Sequence, residues 1–144
     1  MAFTNRYISF GNKFAGHTAD EVFDKIYEFK QILYDELTPI FDKFNLIFVV
    51  QAVPEISKIY SENFSHFSCT YYIRYELQLQ NLSTAQVLDF YTTTRNIVEN
   101  AWEKYSKKMI DQFDITTLSD KDKEYFNLYA QDGKYYNLYD WMKA

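Results

Sequence analysis

Apolar positions in this chain fall into two rhythms. In "HTADEVFDKIYEFKQILYDELTPIFDKF" they recur at Val22, Ile26, Phe29, Leu33, Leu37, Ile40 and Phe44, in steps of three and four. That spacing keeps one stripe on one side of a helix, predicted over 17–44. Thr18 followed by Glu21 forms a capping box, and Asp20 adds negative charge to the first turn. Pro39 falls inside the stripe. It predicts a kink or a restart there, with Thr38 as the new cap.

The rhythm then changes. "NLIFVVQAV" is short, β-branched and bounded by Pro54, so it reads as a buried strand. In "HFSCTYYIRYELQLQ", Phe67, Cys69, Tyr71, Ile73, Tyr75, Leu77 and Leu79 alternate with polar neighbours. A period of two over this length predicts an antiparallel strand with one buried and one wet face. Together, 46–80 read as a long hairpin turning near Glu62-Asn63, with Pro54 at an edge or bulge. The helical rhythm returns at Val87, Tyr91, Thr94, Val98, Ala101, Tyr105 and Met109, behind a Ser83–Gln86 capping box. This predicts a helix over 83–113. Residues 1–16, with Phe3, Tyr7, Ile8 and Phe10, read as an arm that is either a short strand or packed irregularly.

The tail, 119–144, is aromatic and carries a near repeat. Tyr125-Phe126-Asn127-Leu128-Tyr129 and Tyr135-Tyr136-Asn137-Leu138-Tyr139 flank Asp132-Gly133. Ser119 before an acidic first turn favours a helix from about 120 to 131 ending at Gly133. The rival is a two-residue Asp-Gly hairpin that pairs Tyr129 with Tyr136 and Phe126 with Tyr139. The whole chain is therefore expected to be one α+β domain. Two long amphipathic helices pack on a small antiparallel sheet built around the hairpin, and a short aromatic helix or hairpin closes the C-terminus.

Composition adjusts this picture. The 144 residues are 47% hydrophobic and 24% charged, which suits a globular domain rather than a disordered chain. Phe, Tyr, Asn, Ile and Lys total 59, whereas Gly, Ala, Arg and Pro total 16. This is the bias of AT-rich codons, and it lowers the weight of any single tyrosine. A net charge of −5 and a pI near 5.0 argue against a duplex-DNA binder. One cysteine, no signal-like leader and no apolar run of membrane-spanning length lead us to expect a soluble, cytoplasmic protein with no membrane partner.

Local chemistry is sparse. The chain lacks a phosphate-binding Gly loop, a dinucleotide fingerprint and a nucleophile elbow. His66 and Cys69 stand three apart, on opposite faces of a strand, so they do not share a metal. Cys69 is expected in the core and His66 at a solvated strand end. No catalytic residue, metal or cofactor is assigned. The expected contact residues are Tyr72 and Arg74, which share the wet face of the long strand, and the tail aromatics Tyr129, Tyr135, Tyr136, Tyr139 and Trp141. An aromatic beside an arginine on an open sheet can stack a base or a partner side chain.

These features predict a non-enzymatic protein-binding protein, homodimeric through an aromatic surface. Small size, acidity and codon bias suit a phage or mobile-element accessory protein, such as an inhibitor of a host factor. A second reading is a single-stranded nucleic-acid binder, because the helix–hairpin–helix order loosely resembles that of phage single-strand annealing proteins. A third is an enzyme whose scattered site would centre on Tyr72, Arg74 and Glu76.

Overall fold

In a computed structural model the chain runs β1 (Phe3–Gly16), α1 (Ala19–Lys43), β2 (Phe48–Ser61), β3 (Phe64–Gln78), α2 (Thr84–Asp111), α3 (Asp120–Asp132) and β4 (Asn137–Trp141). The structure describes residues 3–61, 64–78, 83–132 and 137–141. Residues 3–6, 56–61, 77–78, 129, 131–132 and 137–141 are described by their backbone alone. The strands form one antiparallel sheet in the order β2-β3-β1-β4. Hence β1 and β2 run parallel with β3 between them, and β3 and β4 run parallel with β1 between them. Two βαβ units are interleaved. This is the ferredoxin-like plan, α+β, with α3 inserted before the last strand.

The N-terminal segment corrects the expectation of an arm. Phe3–Gly16 is a 14-residue interior strand, paired with β3 along its whole length and with β4 at its centre. Gly11 and Asn12 interrupt its alternation, which hides it in the sequence. Ile8, Phe10 and Phe14 nevertheless point into the core and are fully buried.

The two long helices form where the stripes predict them. Thr18 caps α1, its hydroxyl accepting the Glu21 N–H at 3.2 Å. Ser83 and Gln86 close a reciprocal capping box on α2. Val22, Ile26, Phe29, Leu33, Leu37 and Phe41 of α1 are buried, as are Phe90, Thr94, Val98, Ala101, Trp102, Tyr105 and Met109 of α2. Each fully buried Leu or Phe contributes about 1.5–3 kcal/mol. Aromatic edges join the layers. Trp102 meets Phe14 and Phe29 at 5.2 and 5.1 Å, and Phe41 meets Phe90 and Tyr75 at 5.1 and 5.4 Å. Tyr71 reaches from β3 to donate to the Ile26 carbonyl at 2.6 Å.

Helix α1 does not restart at Pro39. It continues to Lys43, and the Thr38 hydroxyl donates back to the Tyr34 carbonyl at 2.6 Å instead of capping a new helix. A proline inside a helix costs about 3 kcal/mol. Leu37 and Phe41 on either side of it are fully buried, and that packing helps hold the helix together across the proline. Two residues past the helix end at Lys43, Asn45 takes a left-handed φ of 54°. The Asn45 and Leu46 N–H groups then donate to the carbonyls of Asp42 and Phe41, a Schellman ending that turns the chain into β2.

In the tail the helix forms and the Asp-Gly hairpin does not. Ser119 caps α3, its hydroxyl accepting the Asp122 N–H at 3.2 Å. The described part of the second aromatic copy, residues 137–139, is not paired with the first, because Asn137–Trp141 adds to the edge of β1 instead, and the expected helix end at Gly133 lies outside the described residues. Phe126 of α3 stacks on Phe113 at 4.7 Å and meets Phe64 at 6.3 Å, closing one end of the sheet. That end also corrects His66, which is buried rather than solvated. Cys69 is fully buried, and its burial pushes the thiol up to about 12.

Candidate functional site

Two places stand out. The first is the sheet face that α1 and α2 leave uncovered. Register aligns Val49, Arg74, Tyr7 and Trp141 in one row across the four strands, and Gln51, Tyr72, Ser9 and Tyr139 in the next. In these rows the Arg74 guanidinium lies 5.4 Å from the ring centres of both Tyr7 and Tyr72. The two tyrosines meet edge to face at 6.0 Å. Arg74 and Glu76 are exposed, and Val49 and Val53 leave apolar surface in water at 55% and 36% exposure. Such an arrangement preorganises a cation between two aromatic rings and presents it to a partner.

The structure thus brings together Tyr72 and Arg74, as their alternation predicts. It adds Tyr7, which sequence reasoning missed as a contact residue. The signal was the polar series Tyr7, Ser9, Gly11 and Lys13 against Ile8, Phe10 and Phe14, readable only once residues 1–16 are taken as a full strand. Of the tail aromatics, the backbone of Tyr139 and Trp141 joins the same rows through β4, and Tyr129 lies on α3. Tyr135 and Tyr136 lie outside the described residues.

The β2 edge of this sheet loses two of its outward donors. The Val50 N–H points away from β3 and donates to the Tyr34 hydroxyl at 2.9 Å. The two-residue period of a ladder puts the Pro54 nitrogen, which has no hydrogen, on the same side. Pro54 therefore sits on an edge strand, as expected, two residues before the register shift at Ile56/Lys58.

The second place is a cleft of about 320 Å³ lined by His17, Glu21, Lys25, Glu28, Tyr105, Lys108, Met109, Gln112, Phe113 and Asp114. Lys25 donates to the Ala15 carbonyl at 2.8 Å and lies 5.2 Å from the Phe113 ring centre. Its partial burial lowers its pKa despite the opposing pull of Glu21 and Glu28. His17 stacks on Phe113 at 4.3 Å, and its backbone N–H donates to Glu21 at 2.8 Å. Tyr105 donates to the Lys25 carbonyl at 3.2 Å, and burial, with Glu28 beside it, pushes its hydroxyl pKa up. No local motif marks this cleft, because Lys25 and Tyr105 are 80 residues apart in the chain. None of Tyr72, Arg74 or Glu76 lines it. Among the described residues, no three His, Cys, Asp or Glu side chains group as a metal site, and no helix is long and apolar enough to cross a membrane.

No protein-family description matches the chain, and no curated protein is similar to it in sequence. Among solved structures it is similar to a hydantoinase/carbamoylase family amidase from Burkholderia ambifaria, with a TM-score of 0.52 at 12% identity. The match covers 99% of this chain but 28% of the amidase. At that identity the likeness concerns the fold. This chain spans about a quarter of the amidase's length.

Proposed function

We propose that this is a non-enzymatic interaction protein that self-associates in the cytoplasm through its uncovered sheet face. The observation that carries the reading is Arg74 held between Tyr7 and Tyr72, flanked by exposed Val49. Aromatic and arginine side chains dominate interface hot spots. Two outward donors missing from the β2 edge, at Val50 and Pro54, favour association by the face over association by that edge. Exposed Arg74 with Glu55 and Glu76 gives the face both signs of charge, which suits an isologous contact between two copies. A protein of this kind, acidic and rich in AT-coded residues, fits an accessory factor of a phage or mobile element that engages a host protein. Native mass spectrometry tests the first step. A dimer of the 17.3 kDa chain that dissociates in the Arg74→Ala and Tyr72→Ala variants supports the reading, and a monomer unchanged by either variant refutes it.

The same trio favours one second reading, a single-stranded nucleic-acid binder in which bases stack on Tyr7 or Tyr72. A labelled oligonucleotide separates the two. Binding that falls steeply with salt and is lost in Arg74→Ala selects nucleic acid, and no binding at low salt rejects it.

A further inference from the structure

We infer that two copies of this chain pack their uncovered sheet faces about a two-fold axis lying across the strands, so that Arg74 of each copy meets Glu55 of the other. This arrangement rests on the face-to-face self-association proposed above, and it adds the direction of the axis and the identity of the contact.

The charges on the face carry it. Val50 of β2 and Ile73 of β3 are buried in the core, so alternation puts Glu55 and Arg74 together on the opposite, uncovered face. Both are exposed. Glu55 lies opposite Ser68, six residues along β3 from Arg74. At a strand rise of about 3.4 Å per residue, the two stand about 20 Å apart within one copy. They cannot meet there. Glu76 stands beside Arg74 on the same face, and Lys13 of β1 lies opposite Ser68. Each end of the face therefore carries both signs of charge. Between the ends, Gln51, Val53, Thr70 and Tyr72 carry none, as befits the centre of an interface.

The two possible axes differ in what they bring together. An axis running along β3 would lay Arg74 over Arg74 and Glu76 over Glu76, with like charges opposed. An axis across the strands, passing β3 between Thr70 and Tyr72, reverses the ends instead. Arg74 then comes over Ser68 of the second copy, one strand away from Glu55, and Glu76 is carried toward Lys13. Sheets stacked face to face lie about 10 Å apart, a gap that an arginine and a glutamate together span. The operation is isologous, so each contact occurs twice.

The test is a charge swap on the full chain, read by native mass spectrometry. Arg74→Glu and Glu55→Arg should each weaken self-association by about tenfold or more, because each homodimer then opposes like charges at both contacts. Mixed in equal amounts, the two variants should form a heterodimer, in which both contacts again join opposite charges. Its mass differs from that of either homodimer. The double variant Arg74→Glu/Glu55→Arg should regain the wild-type dimer, which also shows that the chain still folds. Glu76→Arg changes the net charge as Glu55→Arg does, but it should not rescue Arg74→Glu. A wild-type monomer overturns this arrangement together with the self-association it rests on. A wild-type dimer overturns the arrangement alone if the mixture gives no heterodimer, if the double variant does not regain the dimer, or if Glu76→Arg rescues Arg74→Glu equally well.

Discussion

The Tyr34 hydroxyl, carried by α1, accepts the outward N–H of Val50 on the edge strand β2 at 2.9 Å. One side chain therefore does two jobs: it pins the helix to the sheet and removes an edge donor. Pro54 removes a second donor four residues on. Unpaired edges are templates for adding strands, and proteins blunt them by such means. Tyr34→Phe should cost about 1 kcal/mol through the lost hydrogen bond. Combined with Pro54→Val it should reopen the edge and produce species larger than the wild-type oligomer in sedimentation velocity. A double variant that sediments as the wild type does would show that the edge needs no guarding.

Asn12 is a conflict inside the core. It sits on the buried face of β1 between Phe10 and Phe14 and is 2% exposed. Neither amide atom has a hydrogen-bond partner among the described residues. A buried polar group without a partner costs about 1–3 kcal/mol. Asn12→Leu keeps the size of the side chain and removes that penalty. It should raise the urea midpoint without changing the slope of the transition. A lower midpoint would mean that Asn12 holds a polar contact essential to the fold.

The two long helices and β3 were legible because each carries an unbroken period, whereas β2, read from its continuous apolar run as a buried strand, is an edge strand that leaves Val49 and Val53 in water. Val22 to Phe44 repeats at helical spacing, and Phe67 to Tyr75 alternates without a fault. Strand β1 was obscured because Asn12 breaks the apolar series and Gly11 breaks the propensity. The tail could be read only as alternatives. Ser119 specifies a helix start, but whether Asn137–Trp141 pairs with its own repeat or with β1 depends on a partner more than 120 residues away. Of the candidate site, Tyr72 and Arg74 were visible because one strand carries both. Tyr7 and Lys25 gain their roles from long-range neighbours, and local sequence holds no mark of those.

Two glycines of β1 should respond in opposite ways to alanine. A Cβ on Gly16 would lie 3.0 Å from Glu21 Cβ, 3.1 Å from Val22 Cγ2 and 3.2 Å from the Thr18 carbonyl oxygen. The close atoms belong to the first turn of α1, so the turn must move, and overpacking of this kind costs about 1–3 kcal/mol. A Cβ on Gly11 would meet nothing closer than the Cys69 carbonyl oxygen at 4.0 Å. Gly11→Ala should be neutral or stabilising by about 0.5–1 kcal/mol, since glycine is the costlier residue in a strand. Chemical denaturation of both variants checks the pair. Equal effects would contradict the close approach at Gly16.

Cys69 makes stability depend on alkaline pH. Desolvation raises its pKa from an ordinary 9.0 to about 12, outweighing the opposing influence of Tyr71 and the Val53 backbone. The folded state therefore holds the proton more tightly than the unfolded state does. This contribution is fully present below pH 9.0, because the thiol is protonated in both states there. As pH rises from 9.0 toward about 12, the unfolded chain ionises first and gains on the folded one, so stability falls across that window. In Cys69→Ala the alkaline fall should be shallower, although the cavity lowers stability at every pH. The same burial predicts that a thiol reagent labels Cys69 slowly in the native protein and rapidly in denaturant. Fast native labelling, or identical alkaline slopes for the variant and the wild type, would place the thiol outside the core and remove its part in the pH response.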